Sequence, residues 1–272
     1  MLKIKNYVKV KSLEEAYELL QKRGSCILGG MLWLKMSDRR VSVAIDLCEL
    51  GLDGIYETEE EYQIGCMTSL HELEKNESLN SYTQGALRES LRHIVGVQFR
   101  NCATVGGSIY GRYGFSDVLT VFMGMNTEIE LYHAGRIALE EFAKGGFQKD
   151  ILVRVIVKKC PLKMVYLSQR NTKTDFPVLT CCASLIDKTP RTVIGARPYR
   201  AAIMEDTQGI MKSFICMNER ERLEAAESFS EYVSEHVHTD SNLRGSAQYR
   251  SHLAGILTGR AWRQIGGMAD EN

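Results

Sequence analysis

Apolar and polar positions in the first third of the chain alternate between short β-type runs and helical stripes. A strand is expected over about 3–10. Ser12 comes next, and with Glu15 it makes an S-x-x-E capping box for the helix SLEEAYELLQKR, which Gly24 ends. Cys26 to Leu28, VSVAIDL (41–47) and EYQIGC (61–66) read as strands, and Thr68 or Ser69 caps a short helix. The stretch 82–95 sets Leu87, Leu91, Ile94 and Val95 on one stripe and predicts a helix. GFSDVLTVFMGM predicts another, followed by the strand TEIELY (127–132). After Gly145 and Gly146 the pattern changes. ILVRVIV (151–157), KMVYLSQ, VLTCCASLI and RTVIGA are four closely spaced strand-like runs, as in an antiparallel sheet. Three helices are expected after them, at about 199–215, 219–236 and 246–262. The last carries Tyr249, Leu253, Ile256 and Leu257 on one face. This change of pattern places a domain boundary near residue 160.

Composition narrows the class. With 272 residues, 44% apolar and 25% charged, the chain reads as an ordinary globular protein near the size where one core divides into two. Lys and Arg number 34 against 34 Asp and Glu, so no cationic excess exists for nucleic acid or an anionic membrane. The longest apolar run, CILGGMLWL (26–34), is far short of the ~20 residues of a membrane helix. The N-terminus has no apolar signal core, and the expected compartment is the cytoplasm. Eight cysteines, at 26, 48, 66, 102, 160, 181, 182 and 216, show no CxxC or cluster spacing. They read as small apolar residues of a reducing compartment, with Cys181 and Cys182 pointing to opposite faces of a strand.

Two glycine pairs carry the candidate chemistry. ILGGMLW (27–33) and TVGGSI (104–109) each run from β-type residues into Gly-Gly and then into residues that can start a helix or turn. Glycine lets backbone amides face a ligand without a Cβ in the way, so two such turns together can hold a diphosphate. Each pair alone is also what any tight turn requires. Neither G-x-G-x-x-G nor the P-loop pattern is present. The six histidines show no paired-ligand spacing, and no nucleophile elbow occurs. No catalytic acid or base and no metal ligand set is expected in this chain.

The wording around the second pair is more specific. RNCATVGGSIYGRYGFSDVLTVFMGMNTEIEL (100–131) resembles the segment R-N-x-A-T-I-G-G-N-I…S-D-L-L-P-A-L-L-A-L-x-A-x-V-x-L of the FAD-binding subunit of molybdenum hydroxylases, the xanthine dehydrogenase and carbon monoxide dehydrogenase family. ILGGMLWL is similar to that family's first flavin loop, A-G-G-T-D-L. DILVRVIV resembles its strand beside the flavin, and SNLRGSAQYRSHLAGIL (241–257) its closing helix. The resemblance implies an α+β fold. It would comprise a two-lobed FAD-binding domain of the vanillyl-alcohol-oxidase/PCMH type at 1–160 (sub-lobes about 1–55 and 56–160) and a C-terminal domain at 161–272 with an antiparallel sheet and helices. It also implies roles for residues. Ile27, Leu28, Gly29, Gly30, Met31, Leu32 and Trp33 would form the first loop, and Thr104, Gly106, Gly107 and Ser108 the second, with amides and the Thr104 hydroxyl on the pyrophosphate. Ser116 and Asp117 would meet the cofactor, Asp117 also being a candidate helix N-cap. Leu152 would pack near a ring of the cofactor, and Trp33 could shield it or pack in the core. A β-branched residue at Gly106 is expected to block FAD approach.

Three departures stand against the family pattern. Met31 and Leu32 replace its Thr and Asp, Ser108 its Asn, and no clear counterpart of its Lys near the flavin is present, although Arg170 or Lys173 can substitute. The function implied is a flavin subunit of a cytoplasmic molybdenum hydroxylase. Molybdopterin would sit on a large partner subunit and [2Fe–2S] clusters on a small one, with NAD or another acceptor taking the electrons. A scaffold subunit with weak or lost FAD binding is the alternative, favoured by Met31 and Leu32. A self-contained flavin oxidase or reductase is a third reading.

Overall fold

The computed structural model describes residues 1–146 and 149–268, an α+β fold in two compact units. Segments 1–73, 96–111 and 127–159 make the first unit. Segments 74–95, 112–126 and the chain from 160 onward make the second.

The first unit carries two sheets. Strands β1 (Lys3–Lys9), β2 (Ser25–Leu28) and β3 (Arg40–Asp46) pair in parallel, with β3 in the middle. The helix Leu13–Gln21 joins β1 to β2. Ser12 Oγ accepts the Glu15 amide at 3.1 Å, and the Glu15 carboxylate takes the Lys11 amide at 2.9 Å, so the capping box closes one residue early. Gly24, at φ +78°, turns the chain out of this helix. After Gly29 and Gly30 only the short 3-10 turn Leu34–Met36 forms.

Strands β4 (Ile55–Glu57), β5 (Glu61–Gly65), β6 (Thr127–Leu131), β7 (Gly135–Ala138) and β8 (Leu152–Lys158) make an antiparallel sheet in the order β4-β5-β8-β6-β7. Alternate residues of β5 and β6 are buried, so one face packs inward. The run 151–157 therefore does not join the later sheet, as its spacing suggested. A continuous apolar run fits any central strand, and its partners here come from far back in the sequence.

The second unit is built on β9 (Leu162–Arg170), β10 (Pro177–Ile186), β11 (Thr189–Gly195) and β12 (Ala202–Met204), antiparallel in the order β12-β11-β10-β9. Strand β10 is buried from Pro177 to Leu185 because both its faces are covered. Cys181, Ala183 and Leu185 share a core with Phe229, Val233, Leu257 and Trp262 of the helices Glu219–His236 and Ala247–Ile265. On the other face Thr180 Oγ1 meets Thr120 Oγ1 at 3.1 Å, on the helix Asp117–Met123. The two neighbouring cysteines do point opposite ways: Cys181 Sγ lies 3.8 Å from Thr258 Oγ1, and Cys182 abuts Gly124.

Two expected helices are corrected. The stretch 199–215 holds β12 and leads into the 3-10 turn Phe214–Cys216. Pairing with β11 extends Ala202–Met204, and left-handed Ser213 (φ +67°) breaks the chain direction just before that turn. The stretch 82–95 is helical only over Ala86–Leu91, after the helix Glu77–Tyr82 and a turn through Gly85 at φ +85°. Val95 takes φ +50° and is exposed, off the predicted stripe. Among the described residues no helix is long and apolar enough to cross a membrane.

Candidate functional site

The two glycine pairs, far apart in sequence, lie against each other within the first unit. A Cβ placed on Gly30 would fall 1.9 Å from the Cys102 carbonyl oxygen and 3.1 Å from Ala103 Cα. One placed on Gly29 would fall 2.8 Å from Thr104 Oγ1 and 3.8 Å from Gly107 Cα. Glycine is thus required here because one main chain rests directly on another. The second pair is not a turn after a strand. Gly106 and Gly107 form the first turn of the helix Val105–Tyr110, and Thr104 is its N-cap. That cap sets the local fold: a hydroxyl at N-cap accepts an amide two or three residues on, and Thr104 Oγ1 accepts Gly107 N–H at 3.2 Å.

The amides of the two segments differ in what they offer. Val105 N–H donates to Thr68 O at 2.9 Å, Gly106 N–H to Cys66 O at 2.8 Å, and Ser108 N–H to Thr104 O at 3.1 Å. Only the Gly107 amide, held by a side chain on an exposed residue, can exchange its partner without moving the backbone. In the first segment, among the described residues, the amides of Gly29, Gly30, Met31 and Leu32 have no hydrogen-bond partner outside the sheet ladder. Met31 holds φ +58°, a conformation most side chains avoid, while its side chain packs on Leu28, Val41 and Ala44. Trp33 rests on Phe99, ring centroids 5.4 Å apart. Gly106 abuts Cys66, where an added Cβ would fall 2.7 Å from its Cβ and from its carbonyl oxygen. A β-branched residue there disrupts packing before it meets any ligand, which corrects the expectation from sequence.

Ser116 and Asp117 belong to the second unit. Ser116, not Asp117, is the N-cap of Asp117–Met123, its Oγ accepting Leu119 N–H at 3.0 Å. Asp117 is buried, and Oδ1 accepts both the Tyr166 hydroxyl at 2.6 Å and a short charged bond from Arg170 Nη2. Burial lifts its carboxyl to about 6, against the pull of Arg170 and Tyr166. The same burial, together with the Asp117 charge, pushes Tyr166 well above its ordinary value. Arg170, a candidate stand-in for the family's Lys, is thus committed to Asp117. Neither Tyr166 nor this commitment was read from sequence. An aromatic in the period-2 run KMVYLSQR looks like any core residue, and nothing local ties it to residue 117.

Ile27 and Leu28 are the last two residues of β2, paired with Ile45 and Asp46. Leu152 opens β8, buried opposite Leu131. The cysteines divide: Cys66, Cys181 and Cys182 are buried, while Cys48, Cys102 and Cys216 are exposed, contrary to a uniformly buried set. Burial raises the Cys66 and Cys181 thiols to about 12, which keeps them unreactive at neutral pH. Among the described residues no group of His, Cys, Asp and Glu is placed to hold a metal.

Comparison with known proteins adds to this geometry. A family profile described as the FAD binding domain in molybdopterin dehydrogenase matches residues 2–160. The medium chain of glyceraldehyde dehydrogenase from Sulfolobus acidocaldarius is 24% identical, over 96% of this chain and 98% of that one. The fold is similar to a chain of carbon monoxide dehydrogenase from Hydrogenophaga pseudoflava (TM-score 0.84, 20% identity, 96% of this chain and 97% of that one). It is also similar to a chain of quinoline 2-oxidoreductase from Pseudomonas putida 86 (TM-score 0.81, 20% identity, 96% of each).

Proposed function

The chain belongs to the family of FAD-binding domains of molybdopterin dehydrogenases, and we propose that it is the flavin-carrying electron-transfer subunit of a molybdenum hydroxylase. The observation that carries this reading is the contact of Gly29 and Gly30 with the 102–107 segment, beside four amides that, among the described residues, have no hydrogen-bond partner outside the sheet ladder. These residues suit a diphosphate. The amides of Gly29, Gly30, Met31 and Leu32 would hold it from one side. The Thr104 hydroxyl and the Gly107 amide, released from each other, would hold it from the other. Backbone amides suit this task in a chain without net charge, since they bring partial positive charge without a cation. We place this cofactor-binding region within residues 1–160.

Bound flavin supplies the exchange between one-electron donors and a two-electron acceptor. The chain's part is to hold the diphosphate on main-chain amides and to leave proton chemistry to the cofactor. A molybdopterin-binding large subunit and a [2Fe–2S] small subunit would be its partners, NAD or another acceptor its outlet, and the cytoplasm its compartment. The full-length relatives named as dehydrogenase and oxidoreductase chains support the enzyme class.

The test is the flavin content of the purified chain, alone and with its partners. One flavin per chain, lost on replacing Gly107 with Val, supports the reading. A colourless stoichiometric subunit supports instead a scaffold role. Two observations favour that second reading: three of the four amides at 105–108 are held by main-chain carbonyls, and Asp117 is already occupied.

A further inference from the structure

An open sheet leaves bare edges, and this chain treats its edges unequally. Among the described residues, the edge strands β2, β4, β7 and β12 are only three or four residues long. Strand β9 is longer but has a cover: Gln84 donates through Nε2 to Leu162 O at 3.0 Å, and its Oε1 accepts Met164 N–H at 3.3 Å. Strand β1 has neither protection. It is seven residues long, pairs only with β3, and is exposed at every residue except the half-buried Val8. Alternate main-chain N–H and C=O groups along Lys3–Lys9 therefore face away from the sheet, with no strand to receive them.

The side chains along this edge are cationic. Lys3 and Lys5 share one face of β1, and Arg40 of β3 is the Cα partner of Lys3. With Ile4, Val41 and Ser42 they line a shallow depression of about 260 Å³. Among the described residues the side chains of Lys3, Lys5 and Arg40 have no ion-pair partner, whereas Lys9, Arg136, Arg154, Lys158 and Lys159 of the same unit are each paired. The acids beside the other half of the strand are engaged: Asp46 takes the Tyr7 hydroxyl, and Glu49 meets Lys9 at 3.1 Å. On the opposite face of β1, Ile4 stands 38% exposed. We propose that the outer edge of β1 is a docking site for an extended segment of a partner protein, one that alternates acidic and apolar residues and adds to the sheet as a further strand. Its main chain would close the open ladder, its acids would face Lys3, Lys5 and Arg40, and its apolar residues would continue the Ile4 face. Lysines that served only to keep edges apart would not call for an exposed isoleucine beside them. A second copy of β1 is a poor occupant, since it would set lysine against lysine. The edge shares no residue with the glycine segments and stands without the flavin reading.

The probe is a capped, fluorescently labelled ten-residue peptide in which Glu alternates with Val or Thr, titrated into the whole chain and read by anisotropy. Two comparison peptides share its length: one carries Gln for every Glu, and one is N-methylated at alternate main-chain nitrogens. The Lys3→Glu/Lys5→Glu variant, changed at exposed positions, should keep the wild-type unfolding temperature. It should bind the Glu peptide on the order of tenfold more weakly, since each exposed ion pair contributes a factor of a few. Lys3→Gln/Lys5→Gln should lose less, and it carries the same comparison if the charge reversal fails to fold. The Gln peptide should bind the wild type about tenfold more weakly too. The N-methylated peptide, which keeps its charge but cannot pair, should bind no better than the Gln peptide, and the outward amides of β1 should exchange more slowly in the complex with the Glu peptide. Equal affinity for the Glu and N-methylated peptides would mean a charge contact without an added strand and overturns the proposal. So does equal binding by the wild type and both lysine variants, or no binding at millimolar peptide. Sedimentation of the chain alone checks the other occupant: a dimer that Asn6→Pro dissolves would give the edge to a second copy and overturn the acidic partner.

Discussion

A single hydrogen for carbon separates two kinds of glycine in the 29–30 and 106–107 pairs. At Gly30 a methyl would need the Cys102 carbonyl to move from 1.9 Å, so Gly30→Ala should cost at least about 3 kcal/mol in chemical denaturation. At Gly107 the nearest atom is Thr104 Oγ1 at 3.1 Å, and the position is helical. Gly107→Ala should therefore leave stability within about 1 kcal/mol of wild type. Equal losses in the two variants would show that the segments do not touch as described. The pairs were visible in the sequence, but their reason was not. Sequence offers the absence of a Cβ; only the fold shows that at 29, 30 and 106 the space is filled by the chain itself. Asp117 gives a prediction in pH. Its folded carboxyl, at about 6, binds a proton more readily than the unfolded one at about 3.8, so ionisation weakens the fold. The stability this group contributes is complete below pH ~4 and lost as pH rises through ~6. Asp117→Asn, still able to accept from Tyr166 and Arg170, should lack that decline. Parallel unfolding-temperature profiles for the two proteins would refute the assignment.

Elements were legible where one face repeats and obscure where the chain changes partners. The helices Leu13–Gln21, Glu219–His236 and Ala247–Ile265 carry caps at Ser12, Asn218 and Ser246, and their ends follow from local chemistry. The run 199–215 is different: Ala202 and Met204 favour helix and Ile203 favours strand, and pairing with the open edge of β11 draws all three straight. Tyr249 and Ile256 share one face of the last helix with Leu253 and Leu257, yet they stand 43% and 38% exposed. Helical spacing fixes the stripe's period, not its width. What sequence could not show is the crossing of the two long helices. There a Cβ on Gly255 would lie 2.8 Å from Ser230 O and one on Gly259 3.3 Å from Ser230 Cβ. Gly255→Leu should force the helices apart at about 1–3 kcal/mol, measured as a lower denaturation midpoint. A midpoint at or above that of wild type would mean the crossing has slack.

Over the whole molecule, the chain leaves and re-enters its units. The profile match ends at 160, yet 74–95 and 112–126 lie with the residues that come after 160. No one-dimensional signal marks such loans, because each lent stretch is an ordinary amphipathic segment. A protein cut after residue 160 would retain Leu87, Leu91, Val118, Leu119, Val121 and Phe122, each at most 2% exposed in the full chain, without the strands β9, β10 and β11. Such a fragment should aggregate, and supplying 161–272 in trans should restore a soluble, near-UV-structured pair; a soluble lone fragment would contradict the division. The same loans set a timetable for synthesis. Phe122 leaves the ribosome well before β10 and β11 exist to cover it, so the nascent chain carries an open apolar surface for about a quarter of its translation. A stall in that interval makes it a client for chaperones.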